Sequence, residues 1–310
     1  MALTVVGSIA FDAVTTPFGS RERMLGGSAV HFALAASFFA SVHIVGPVGD
    51  DFGEEHYEFL RARGIDTQGI ERVTGGRTFF WRGEYSWDLS ERRTLDTQLG
   101  VFAGFEPRLS DQSRAAELLF LANIQPQLQR QVRAQSRGAR FVALDSMNLW
   151  IETERESLIE TLGEVDCVML NDSELRELTR EPNLIRAARM VHDWGPGVVV
   201  AKRGEFGAAL VTREGFFALP AFPLETVVDP TGAGDCFAGG FMGYLAAHPD
   251  EDLGHEVLSR AMAYGTALAS FNVEEFGTER VARLTSEEIV QRVADLGRMT
   301  RFVAAPVALR

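Results

Sequence analysis

The stretch Asp229-Pro230-Thr231-Gly232-Ala233-Gly234-Asp235 limits what this chain can fold into more than any other. An apolar, strand-like approach, Thr226-Val227-Val228, leads into it. Cys236 to Ala246 follows, small and apolar enough for a tightly packed helix. A Gly-rich turn opening such a helix aims several free backbone N–H groups at one point. The helix dipole adds partial positive charge there. The point suits an anion, commonly a phosphate. Gly232 and Gly234 permit close approach and unusual backbone angles. Asp235 places a carboxylate among these donors. It reads either as a helix cap or as a proton acceptor beside an anion site, where the N–H groups hold the charge that develops.

Composition bounds the rest. At 310 residues and 46% hydrophobic, the chain can be one large α/β domain or two smaller ones with a sizeable core. Lys plus Arg number 30 against 43 Asp plus Glu, a net charge of −13. That argues against a general nucleic-acid binder, whose affinity rests on phosphate neutralisation. It leaves room for a nucleotide at a small local site. Cys167 and Cys236 lie far apart in apolar surroundings and read as reduced core residues of a cytoplasmic protein. A nucleophilic Cys236 is the alternative. Met1 to Val6 lacks a basic region before a cleavable apolar segment and reads as a first strand. Residues 29–46 are uncharged and long enough to raise a membrane span. His31, Ser37, Ser41 and His43 interrupt them, so a helix followed by a strand is expected, and no membrane association.

Strands and helices then alternate. Leu3–Val6, His43–Val48, Leu118–Ala122, Arg140–Leu144, Val165–Leu170 and Val198–Ala201 read as strands. Segments 29–39, 54–64, 125–137, 154–163, 258–271 and 286–296 read as helices, with Ser28 as the cap of the first. Such alternation predicts a mostly parallel sheet with helices on both faces. Ligand-bearing residues belong at the carboxyl ends of its strands. Asp12, just past the first strand, is placed to accept hydrogen bonds from ligand hydroxyls, unless it only serves a turn. Asn123 and Asp145 end two further strands. Residues 13–25 and 74–105 break the rhythm. Thr78 to Tyr85 and Arg92 to Leu95 mix aromatics with charges and show no helical period. A small, partly solvated antiparallel sheet is expected there, serving as a lid or as the face of a homodimer.

Asp229 to Gly240, D-P-T-G-A-G-D-x-F-x-G-G, resembles the C-terminal signature of the ribokinase family, also called the PfkB carbohydrate kinases. The family's usual form is D-T-x-G-A-G-D, so Pro230-Thr231 departs slightly. Gly26-Gly27 followed by His31 resembles its N-terminal G-G-x-x-x-N, with His31 where Asn is usual. Asn171 to Glu174 resembles its N-x-x-E, and Lys202, Gly204 and Gly207 its K/T-x-G-x-x-G beside the nucleotide. Asp145 to Trp150 only partly resembles D-x-N-x-R: Asn148 is one residue late and the Arg is missing. The resemblance runs along nearly the whole chain. It implies one ribokinase-like domain over residues 1–310, a doubly wound, mostly parallel sheet with a small β lid from about 12–25 and 74–105.

It also implies ATP-dependent phosphoryl transfer to an alcohol. That chemistry needs positioning, charge neutralisation and an in-line nucleophile. By resemblance, Asp235 takes the acceptor's proton, and N–H groups around Gly232, Ala233 and Gly234 hold the phosphoryl oxygens. Asp12, Gly26, Gly27, His31, Asn123 and Asp145 bind the acceptor. Asn171, Lys202, Gly204, Gly207, Thr231 and Asn272 face the nucleotide. Asn171 and Glu174 organise Mg²⁺ through waters, although the same pair would make a capping box. A monovalent cation such as K⁺ is a further candidate. The acceptor reads as a neutral sugar or a nucleoside. A sugar phosphate is the alternative, with Arg77, Arg82, Arg92 and Arg93 as its only evident cations. The lid aromatics Phe79, Phe80, Trp81 and Trp87 either stack on a base or pack together. A non-catalytic sensor on the same scaffold is a second class of reading. An NAD-linked enzyme is a third, and Val6 to Ala10 lacks its glycine fingerprint.

Overall fold

The computed structural model describes residues 1–301. Its strands are β1 (Leu3–Val6), β2 (Ala10–Thr16), β3 (Gly19–Gly26), β4 (Val42–Val48), β5 (Ile65–Arg72), β6 (Phe79–Tyr85), β7 (Arg92–Gln98), β8 (Leu118–Leu121), β9 (Phe141–Leu144), β10 (Cys167–Asn171), β11 (Val198–Lys202), β12 (Ala208–Thr212) and β13 (Phe216–Leu219). Nine of them form one sheet in the order β13-β12-β11-β10-β9-β8-β1-β4-β5. All neighbours are parallel except β11 with β12 and β12 with β13.

The parallel strands are apolar on both faces because helices cover both. In β8, Leu118 and Phe120 enter one apolar cluster, and Leu119 and Leu121 the other. The first cluster is roofed by helices Ser28–Ala36, Ala233–Ala247 and His255–Asn272. The second is roofed by helices Pro126–Gln135, Arg155–Leu162, Asp172–Thr179 and Leu184–Trp194. Strand order reverses between β1 and β8, which opens a crevice beyond their carboxyl ends. Among the described residues no helix is long and apolar enough to cross a membrane.

β2, β3, β6 and β7 form a second sheet in the order β3-β2-β6-β7. They fall on the two stretches that break the α/β rhythm. The sheet is not wholly antiparallel as expected: two antiparallel hairpins meet along a parallel pair, β2 with β6. Two other expectations need correction. Thr226 to Val228 joins no sheet, because β13 already ends it; Val228 N–H instead donates to Val273 O at 2.7 Å. Ser28 is not the cap of its helix, since Gly27 holds that place without a side-chain bond. Ser28 and Ser8 bond each other instead, N–H to hydroxyl in both directions. Ile65–Arg72 forms the sheet's edge strand, β5.

Candidate active site

The signature helix Ala233–Ala247 begins at Gly232, whose φ of 78° is left-handed. A side chain there would be strained and would also strike His31, since a Cβ would fall 2.3 Å from its Nδ1. Among the described residues the N–H groups of Gly232, Gly234 and Asp235 donate to no protein acceptor. Ala233 N–H, expected among the anion's donors, is instead spent on Pro230 O at 3.2 Å. The free donors are thus Gly232, Gly234 and Asp235, at the positive end of a 15-residue helix.

Around this entry the sheet delivers charge. Lys202 ends β11 and places Nζ 2.9 Å from Asp145 Oδ2, just past β9. The same Nζ lies 3.0 Å from where a Cβ of Gly234 would be, against the free N–H groups. Burial opposes the charge on Lys202, but Asp145, Glu174 and Asp235 together outweigh it and hold its pKa above the usual lysine value. Burial, then the charge of Asp145, pushes Asp235 up to about 7. Lys202 and Arg92 act against that rise and Asp12 adds to it. A carboxyl poised near neutrality suits a general base. Glu174 is also raised to about 7, by burial first, with Lys202 opposing.

Asn171 caps helix Asp172–Thr179: its side chain accepts from Glu174 N–H at 2.8 Å, and Glu174 Oε2 accepts from Asn171 N–H at 2.8 Å. The capping box is therefore real. It uses only Oε2, and Glu174 Oε1 accepts from no protein donor among the described residues.

Asp12 stands opposite, on β2. Its carboxylate lies over Gly26, where a Cβ would fall 2.0 Å from Oδ2, so only glycine fits. Burial raises Asp12 to about 7, against the pull of the Gly27 N–H. His31 and Asn272 are buried between this group and the signature. Burial lowers His31 to about 4, so the ring is neutral. Its Nδ1 meets Asn272 Oδ1 at 3.2 Å, which makes Nδ1 the donor and leaves Nε2 a bare acceptor with no partner among the described residues. Asn272 also donates to Thr231 O at 2.7 Å and accepts from Cys236 Sγ at 3.2 Å. Its amide is consumed in bracing the signature. Cys236 is buried and its thiol is pushed well up by burial, which fits a core residue and not a nucleophile.

Three further residues join the site, of which Tyr85 was not expected, Asp229 had no role assigned within its motif and Arg92 was read only as a cation for a sugar phosphate. Asp229 is fully buried and accepts from Thr231 N–H at 2.9 Å and Gly277 N–H at 3.0 Å, tying the signature to the loop after helix His255–Asn272. Tyr85, from β6, shares a 3.1 Å hydrogen bond with Thr231, so the lid rests on the signature. Arg92, from β7, lies near enough to lower Asp12, Glu174 and Asp235 alike. Asn123 is not brought to the carboxylates by any bond; its Oδ1 accepts from Trp150 Nε1 at 3.0 Å. Gly204 and Gly207 shape the turn from β11 to β12, and Asn148 is exposed.

Residues 4–283 match the pfkB family of carbohydrate kinases. The chain belongs to this family. It is 32% identical over 266 residues to a cytidine kinase from Thermococcus kodakarensis, covering 84% of this chain and 94% of that protein. It is 26% identical over 312 residues to a nucleoside kinase from Methanothermobacter thermautotrophicus, covering 95% and 96%. The crystal structure of the Methanocaldococcus jannaschii nucleoside kinase, a ribokinase-family protein, superposes with a TM-score of 0.76 at 20% identity, over 95% and 98% of the two chains. The fold is therefore ribokinase-like. As a pfkB kinase the chain moves a phosphoryl group from ATP to an alcohol, and the arrangement around Asp235 fits that chemistry.

Proposed function

We propose that this pfkB kinase phosphorylates a hydroxyl of a nucleoside, with Asp235 as general base. The observation that carries the mechanism is a carboxyl raised to about 7 at a helix entry with three free N–H groups. Asp235 takes the proton as the acceptor oxygen attacks. Gly232, Gly234 and Asp235 N–H groups and Lys202 hold the charge on the transferring phosphoryl. Asp12 accepts hydrogen bonds from the acceptor's other hydroxyls, beside Gly26 and Gly27, and His31 Nε2 is free to take one more. Mg²⁺, when bound, would neutralise phosphate charge; Glu174 Oε1, Asp145 and the Asn171 turn would be the hard oxygen donors for its waters. Gly204, Gly207 and Thr231 border the nucleotide.

A neutral acceptor is favoured because two of the four candidate arginines are paired, Arg82 with Glu22 and Arg93 with Glu84, which leaves Arg92 as the one unpaired cation near the site carboxylates among the described residues. The nucleoside is favoured over a free sugar by the cytidine and nucleoside kinases among the relatives. The same reading places the protein in the cytoplasm, where ATP is supplied, and includes pairing of two copies through the lid and a K⁺ requirement. Ultracentrifugation and omission of K⁺ test those two points. ADP release measured against a panel of ribonucleosides, deoxyribonucleosides, ribose and sugar phosphates tests the main one. Turnover of nucleosides is expected, with kcat/KM well above that of ribose. Turnover confined to sugars or sugar phosphates would overturn the acceptor assignment. ATP binding without any turnover would favour a sensor.

A further inference from the structure

We propose that Trp81 is the surface on which the acceptor's planar base lies, and that it sets the preference for a nucleoside over the bare sugar. The inference rests on the nucleoside reading and names the residue that enforces it. Strand register separates the four lid aromatics. Phe80 is in register with Phe11, which belongs to the main core, and packs against it. Phe79 packs with Phe102, their ring centroids 5.7 Å apart. Trp87 is 86% exposed, in the turn between β6 and β7. Trp81 alone is in register with Asp12, across the parallel β2–β6 pair. Residues in register share a face of the sheet. Two and four residues further along β6, Gly83 and Tyr85 lie on that face too, and Tyr85 bonds Thr231 of the signature. The face carrying Trp81 is thus the one that closes over the site.

The indole lies flat on it. A Cβ on Gly83 would fall 2.1 Å from Trp81 Cη2, so the six-membered ring covers the bare backbone of Gly83. Its Nε1 donates to Thr94 Oγ1 at 3.2 Å, across the sheet on β7. One ring face is backed by the strand; the side chain is only partly buried, so the other is open to a ligand. The Arg92 guanidinium lies 5.4 Å from the ring centroid; it is exposed and has no ion-pair partner among the described residues, so an entering base meets it at this ring and displaces it. Neighbouring strands lie about 4.8 Å apart. A sugar ring held by Asp12 therefore carries its glycosidic substituent onto the next strand, where Trp81 waits. A flat, immobilised, apolar surface there rewards an aromatic base and gives little to a hydrogen atom or hydroxyl in its place.

Steady-state kinetics of Trp81→Leu and Trp81→Phe test this, using the best nucleoside as substrate and free ribose as substrate or competitive inhibitor. Base–aromatic stacking is worth about ten- to a hundredfold in affinity. Trp81→Leu should raise the nucleoside KM by about that factor, with most of the loss in KM and little in the KM for ATP. The ribose constant should move by less than about threefold, and Trp81→Phe should recover most of the nucleoside affinity. A wild-type enzyme that takes nucleosides, with a Trp81→Leu KM within about twofold of it, would overturn the role of Trp81 and leave the nucleoside reading standing. An equal rise for nucleoside and ribose would also overturn it, because Trp81 would then be shaping the lid. A wild-type enzyme that takes sugars alone removes both, and that result is read without any variant. Melting curves of both variants separate lost binding from lost folding.

Discussion

Asp235 is a weak acid for an aspartate because burial and Asp145 both disfavour its charge, and Lys202 only partly compensates. Its proton affinity near 7 means that activity should fall as pH drops through about 7, as the base becomes protonated. A kcat/KM profile flat between pH 5 and 8 would refute that. Asp235→Asn keeps the shape but cannot take the proton, and no helix cap is lost, because Gly232 holds that place without a side-chain bond. It should lower kcat by at least ~10²-fold with little change in KM; a folded variant within a few-fold of wild type would end the assignment of Asp235 as the base. Glu174→Gln preserves the capping box, since an amide oxygen accepts from Asn171 as well as a carboxylate does. It should therefore leave the melting temperature nearly unchanged near pH 4, where the carboxyl is protonated in the fold, and raise the Mg²⁺ concentration needed for half-maximal rate. An unaltered Mg²⁺ dependence would leave Glu174 with the cap alone. Asp235, Gly26, Asn171/Glu174, Lys202 and Asp145 were nameable as candidates in the sequence because each sits in or beside a motif. Their pairings were not, because they act across long separations: the Tyr85–Thr231 bond spans 146 positions and the Lys202–Asp145 pair 57. Tyr85 sits in no motif, so nothing local marks its role.

Among the elements, the lid meets the signature turn through the Tyr85 side chain. The Tyr85 hydroxyl is its described hydrogen bond to the signature, and Asp229, which holds Thr231 N–H in place, sets the receiving end. Tyr85→Phe removes the bond and keeps the ring. A net hydrogen bond is worth about 0.5–1.5 kcal/mol, so acceptor KM should rise about two- to tenfold. ATP hydrolysis without acceptor should rise too, as a looser lid admits water. Unchanged values for both would show that the lid closes without this contact. The parallel strands were readable because doubly covered strands are continuous apolar runs, Leu118 to Leu121 being the clearest. β5 was not, because at the sheet edge its buried Ile65, Thr67 and Ile70 are interleaved with Gln68, Glu71 and Arg72. Thr226 to Val228 has strand composition but finds no strand to pair with, and composition cannot report the missing neighbour. Helix Leu184–Trp194 lies beyond the sequence expectations, although the Asn183 cap and the buried stripe Ala187, Ala188 and Val191 carry its signal.

At the scale of the whole molecule, function is set against stability. Asp12, Glu174 and Asp235 are each raised to about 7 from ordinary values of 3.8, 4.5 and 3.8. The folded state therefore binds their protons more tightly than the unfolded chain does. The stability this brings is complete below about pH 4 and is lost as pH rises through about 7. At pH 8 the ionised site opposes folding, so Asp235→Asn should melt several degrees above wild type there, with the gap shrinking steadily toward pH 4. A constant gap would mean that the substitution acts through packing and not through charge. A different consequence follows from where Asp12 sits. It lies on β2, a strand of the second sheet, whereas Asp235, Lys202, Asp145 and Glu174 all belong to the large sheet and its helices. On the proposed roles, the part of the molecule that chooses the acceptor is thus built on different strands from the part that reacts. Two hairpins can be redrawn by mutation, insertion or exchange while the proposed base and lysine keep their own strands and helices. A lineage built on this plan inherits its chemistry conservatively and explores new acceptors cheaply.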